Sequence, residues 1–126
     1  MRLLAGGLAL LFIVIAFCIV NFVYVVGCLE NIIQELDYIE NDVNILEWDA
    51  AYARSINLLQ AWHDKENYFM AVLWHQHVDD VAIALNQIKS DIEMRDLEEV
   101  HNSLIEARTI IRDIIEMESI SLGNIF

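Results

Sequence analysis

Leu3 to Leu29 reads LLAGGLALLFIVIAFCIVNFVYVVGCL, without one ionised side chain. At a rise of about 1.5 Å per residue, a helix over this stretch exceeds the ~20 residues that cross the hydrocarbon core of a bilayer. The apolar pattern continues where the charges begin. Leu29, Ile32, Leu36, Ile39, Val43 and Leu46 recur at spacings of three and four, the seam of a helix packed against others. One rod is expected, a transmembrane anchor over residues 1–29 that runs on as the first helix of a bundle.

The apolar stretch admits three readings. It is about twice the length of the apolar region of a cleaved secretory signal. Val25-Val26-Gly27-Cys28 looks like the lipobox ahead of a lipidated cysteine, which makes Cys28 a candidate lipidation site. Helical periodicity starts directly at Leu29, with no tether after the cysteine, and this favours the uncleaved single-pass helix. Arg2 lies before the span, while Glu30, Glu35 and Asp37 follow it. Positive charge is retained on the cytoplasmic side, so the N-terminus is expected in the cytoplasm and the remainder outside the cell membrane.

That remainder is acidic. The net charge of −13 arises from 20 Asp and Glu against seven Lys and Arg, and of the basic residues only Arg2 precedes Glu30. Such a surface repels nucleic acid and anionic headgroups, so no nucleic-acid partner is expected. Cys18 and Cys28, ten residues apart on one helix, stand about 15 Å from each other, beyond disulfide reach.

Four amphipathic segments are legible. After a break at Asn41-Asp42-Val43-Asn44, with Asn44 and Glu47 at cap spacing, Trp48, Tyr52, Ile56, Leu59 and Trp62 share a face. His63-Asp64-Lys65-Glu66-Asn67 interrupts the apolar pattern, with Asp64 as a cap. Without Gly or Pro there, the second and third helices could also be one kinked helix. Ala71, Trp74, Val78, Val81, Leu85, Ile88 and Ile92 form the third seam. Asp96 and Glu99 have cap spacing before the last helix, with Leu97, Val100, Leu104, Ala107, Ile111 and Ile114. Ser121-Leu122-Gly123-Asn124 reads as a stop after Ser119. No segment alternates with period two. The fold is expected to be all-α, an antiparallel up-and-down bundle of about four helices over residues 30–118, with a tail at 119–126.

Catalytic chemistry finds little support. The serines lack a Gly-rich elbow, and no glycine loop is built to cradle phosphate. His75 and His77 point about 200° apart on a helix, and Glu98 with His101 supplies one Glu-x-x-His pair where a di-iron bundle needs two. No enzyme, cofactor or metal is expected. Trp48, Trp62 and Trp74, with His75 and Asp79 one turn apart, are the candidates for a partner or ligand patch, set against tryptophans that simply fill the core. In the tail, Leu122, Asn124, Ile125 and Phe126 either fold back on the bundle or present a docking peptide; folding back is favoured because exposed apolar ends are a liability.

Glu47-Trp48, Ala50-Ala51, Trp62, His75 with Val78-Asp79, and the ending Glu118-Ser119-Ile120-Ser121-Leu122-Gly123-Asn124-Ile125-Phe126 together resemble domain-of-unknown-function family 4363. The members are small membrane-anchored proteins of Gram-positive, often spore-forming, bacteria. The resemblance implies a membrane location and supplies no reaction. The expected function is a non-enzymatic accessory or scaffold subunit whose extracytoplasmic bundle binds another envelope protein, with a homo-oligomer as a further arrangement. The alternatives are a ligand- or cation-sensing bundle that signals through a partner, and a lipoprotein held at Cys28.

Overall fold

A computed structural model describes residues 1–125. It contains α1 (Arg2–Asn44), α2 (Trp48–Val72), α3 (His75–Glu93) and α4 (Leu97–Ile125), with no strand among the described residues. Neighbouring pairs α1·α2, α2·α3, α3·α4 and α4·α1 pack together, which closes the helices into a four-cornered bundle. α1 is one unbroken helix of 43 residues, about 65 Å long. Its first part is long and apolar enough to cross a membrane, and none of that apolar window is buried in the bundle. Burial begins at Val25 and continues through Cys28, Leu29, Ile32, Leu36, Ile39 and Val43. The expected seam is therefore the real one, up to its last member.

That last member, Leu46, sits in the turn. Leu46 N–H donates to Val43 O (3.0 Å) and Glu47 N–H to Asp42 O (2.9 Å), while Leu46 itself has φ 61°. This is the hydrogen-bond pattern of a Schellman ending, normally built on glycine. The α3–α4 turn repeats it: Arg95 has φ 53°, with Arg95 N–H on Ile92 O (3.0 Å) and Asp96 N–H on Asp91 O (3.4 Å). Asp96 then caps α4 as expected, its Oδ1 accepting from Glu99 N–H at 3.2 Å. Asn44, by contrast, is the last residue of α1, and Glu47 occupies the cap position of α2 without a side-chain bond.

Two boundaries differ from the sequence expectation. α2 passes straight through His63–Asn67 and ends at Val72; its break is Leu73-Trp74, two residues in extended conformation. The polar cluster does not interrupt the helix because its members lie on or near the outer face, while Trp62 and Phe69 hold the inner one. Helices two and three are thus separate, but they part about ten residues later than the polar cluster suggests. α4 likewise does not stop near Ser119: it stays helical through Ser121-Leu122-Gly123-Asn124 to Ile125. The segment 119–126 is therefore the end of a bundle helix as far as Ile125, not a separate tail.

The face of α2 is also rotated. Ala51, Ser55, Leu58 and Trp62 are buried, Trp48, Tyr52 and Leu59 are half-buried, and Ile56 is exposed. Ala51 and Ser55 are small residues at buried positions, and the larger Trp48, Tyr52 and Leu59 flank them half-buried. In α3 and α4 Val78, Val81, Leu85, Ile88, Ile92, Val100, Leu104, Ala107, Ile111 and Ile114 are buried as expected, whereas Trp74 and Leu97 of the same seams are exposed and Ala71 is an exposed residue of α2.

Candidate functional site

The five residues of the candidate patch are scattered along the bundle. Trp62 is buried in mid-α2, stacked on Phe69 with ring centroids 4.7 Å apart. Its indole nitrogen is buried and has no hydrogen-bond partner among the described residues. Trp48 packs half-buried against the core at the start of α2, near Glu93 and Arg95. Trp74 lies at the opposite end, 76% exposed and stacked on His77. His75 and Asp79 are exposed. One tryptophan is core, one flanks it and one is surface, so no single patch unites them. Helical spacing carries no information on which end of a helix meets which neighbour.

The two ends of the bundle differ in chemistry. At the distal end the α1–α2 and α3–α4 turns lie side by side. Tyr52 Oη donates to Glu93 Oε1 at 3.0 Å, which holds the phenol above its ordinary range, and Arg95 reaches Asp49 at 3.5 Å. Ile45, Leu46 and Met94 stand exposed there. At the other end, α2 and α4 come down beside the apolar part of α1. Tyr68 Oη donates to Asn21 Oδ1 and packs edge-on against Tyr24, with ring centroids 5.2 Å apart. Glu118, Ser121 and Leu122 lie against Phe17, Cys18, Asn21 and Phe22. Burial raises the pKa of Glu118, opposed by the charge of His77. Leu122 is half-buried and Asn124 exposed; Ile125 closes α4, and Phe126 lies outside the described residues.

Between these ends a groove of about 420 Å³ runs along α1 and α2. Ile32, Leu58 and Phe69 are among its apolar lining, with Asn31 and Glu35 on one helix and Asn57 and Lys65 on the other. Lys65 Nζ lies 3.7 Å from Cys28 Sγ. The volume falls within the ~300–1,000 Å³ of small-molecule pockets. A cation and a carboxylate in one groove would orient a zwitterionic or amphiphilic guest. The sequence hides this site because Cys28 and Lys65 are 37 residues apart, and only the antiparallel pairing of α1 with α2 joins them. Cys28 itself is buried in an unbroken helix. Among the described residues, no group of three or more His, Cys, Asp or Glu is arranged to hold a metal ion.

Few cations tie the bundle together. Arg108 of α4 donates to Glu40 Oε2 and Asp37 Oδ1 of α1, both at 2.9 Å, and its side chain is 14% exposed. Arg54 of α2 donates to Asp42 Oδ2 at 2.7 Å and lies over the Tyr38 ring, 5.1 Å from its centroid. The acidic outer face of α1 is thus clamped from both neighbours. Inside the α3–α4 contact, Ser103 Oγ and Gln87 Nε2 both donate to the buried Asp91 carboxylate, the latter at 2.9 Å.

No curated protein matches the chain, and no solved structure does. The model of a protein family does. Described as Domain of unknown function (DUF4363), it matches residues 19–125, from the last turns of the apolar segment through all four helices, and the chain belongs to that family.

Proposed function

We propose that this protein is a single-pass membrane protein whose extracytoplasmic bundle is a non-enzymatic accessory or scaffold subunit for another envelope protein. The observation that carries this is α1: one helix supplies an uncovered apolar segment of membrane-crossing length and a corner of the bundle. The burial of Cys28 against α2 supports an intact anchor over cleavage and lipidation at that residue. The exposed apolar cluster at the distal end is a surface that a protein partner would cover. Protease added to intact protoplasts should remove the bundle while a cytoplasmic control survives. Crosslinking in native membranes followed by capture in mild detergent should recover one reproducible membrane partner. An untouched bundle refutes the topology, and recovery of no partner refutes the subunit role.

A second reading has its own observation. The α1–α2 groove, with Glu35 and Lys65 among its lining, supports a ligand-sensing bundle. Titration of the full chain in detergent with divalent cations and with zwitterionic amphiphiles should then raise the melting temperature, and no shift refutes it.

A further inference from the structure

Any run of about 20 residues taken from Leu3–Leu29 includes Phe17, Cys18, Asn21 and Phe22. Those are the residues against which Glu118, Ser121 and Leu122 lie. Wherever the hydrocarbon core falls on α1, the end of α4 is therefore level with it or with its boundary. α2 arrives at the same depth. Tyr68 is joined to Asn21, and Val72 is four residues further along an antiparallel helix, about 6 Å closer to the membrane centre. The Leu73-Trp74 turn follows.

The two segments that reach this end are depleted of charge. There is no Asp, Glu, Lys or Arg between Glu66 and Asp79, the longest such gap after Glu30, and none after Glu118. These gaps mark the places where ionised groups would be driven against lipid. What the segments expose instead is Tyr68, Trp74 and Ile120, with Tyr24 and Met117 next to them. Tryptophan and tyrosine concentrate where hydrocarbon meets headgroup. The bond from Tyr68 to Asn21 fits the same setting, since an amide at that depth has little water to turn to.

We infer that the base of the bundle, formed by the Leu73-Trp74 turn and the end of α4 beyond Glu118, is seated in the bilayer interface, with lipid as the partner of that surface. This rests on α1 spanning the membrane. The bundle then touches the bilayer at three points instead of standing clear of it on one helix.

The test uses the full chain in phosphatidylcholine bilayers and four single-tryptophan proteins. One keeps Trp74 and carries Trp48→Phe and Trp62→Phe. One keeps Trp48. Two carry Leu122→Trp or Phe12→Trp with all three native tryptophans replaced by Phe. Trp62→Phe preserves a ring against Phe69 and removes an indole N–H that has no partner. Nitroxide lipids labelled near the headgroup or near the chain methyl end report depth. Trp74 and Leu122→Trp should be quenched by the shallow label at least about twofold more strongly than Trp48, and Phe12→Trp should be quenched by the deep one. If Trp74 and Leu122→Trp behave like Trp48 while Phe12→Trp is quenched deeply, the seating is wrong and the span stands. Trp74 shielded from aqueous acrylamide yet untouched by either label places a protein on the base and also overturns the inference. Phe12→Trp escaping the deep label removes the span, and the seating with it. Should Trp62→Phe unfold the bundle, nitroxides on Gln76→Cys and Ser121→Cys at the base, Glu47→Cys at the distal turn and Phe12→Cys in the span, each with Cys18→Ser and Cys28→Ser, give the same comparison from oxygen and nickel-chelate accessibility.

Discussion

Arg108→Met removes a two-bond clamp between α4 and α1 while keeping an aliphatic stem. Arg108 spans α4 and α1 with two charge-assisted bonds of 2.9 Å, and its side chain is 14% exposed. Its partners are wetter: Glu40 is 34% exposed and Asp37 59%. Once released, both carboxylates can rehydrate, so the loss stays below the 3–5 kcal/mol or so of breaking a buried pair. It exceeds the ~0–1 kcal/mol of an exposed bridge because the cation is largely desolvated. About 2 kcal/mol is the expected cost. For a domain of this size that lowers Tm by roughly 8–16 °C. Thermal unfolding of the full chain in detergent, followed by circular dichroism at 222 nm, reads the shift. A double-mutant cycle with Glu40→Gln isolates the bond. A coupling energy below about 0.5 kcal/mol would show that the bridge is merely a surface pair and would refute the reasoning.

Three further outcomes are expected. Leu46→Gly relieves a left-handed backbone at an exposed side chain and should stabilise the bundle by about 0.5–1 kcal/mol in the same melts, the gain being reduced by glycine's unfolded-state entropy. Ser103→Ala strips one donor from the buried Asp91 carboxylate and should cost about 1–3 kcal/mol, whereas Ser119→Ala, on the exposed face of the same helix, should change stability by less than about 0.5 kcal/mol. Glu118 has a pKa raised above its ordinary 4.5 by burial, so the folded state holds its proton more tightly than the unfolded chain does. Its contribution is favourable below about pH 4.5 and is lost as pH rises through the raised value; Glu118→Gln should therefore stabilise the protein at pH 7 and leave it unchanged near pH 4, as read from Tm across pH.

Period and caps carried most of the architecture. The seams of α1, α3 and α4 could be read because branched aliphatics occupy nearly every inward position, and Asp96 announced its helix through a side-chain bond that is local in sequence. α2 misled for two reasons. Two of its buried positions are Ala51 and Ser55, whose small size carries little hydropathy signal, and its end at Leu73-Trp74 contains no Gly, Pro, Asn or Asp. Leu73 is buried, so burial fixes the turn, a tertiary effect that overrides local propensity. Gly123 similarly suggested a stop, but nothing crowds its Cβ position and the helix runs through it. The groove at Cys28 and Lys65 and the Arg108 clamp join residues 37 and about 70 positions apart, so they become visible only once the helices are paired.

The unbroken course of α1 through Gly27 fixes how far the protein can act. From Val23 to Asn44 the helix rises about 33 Å, with no proline and no linker on which the bundle could swing. On the membrane reading, every surface of the bundle then stays within roughly one domain diameter of the lipid. A soluble partner gains no reach from such an anchor, whereas a partner in the same bilayer meets it by lateral diffusion at high effective concentration, so even a weak contact at Ile45, Leu46 and Met94 would be populated.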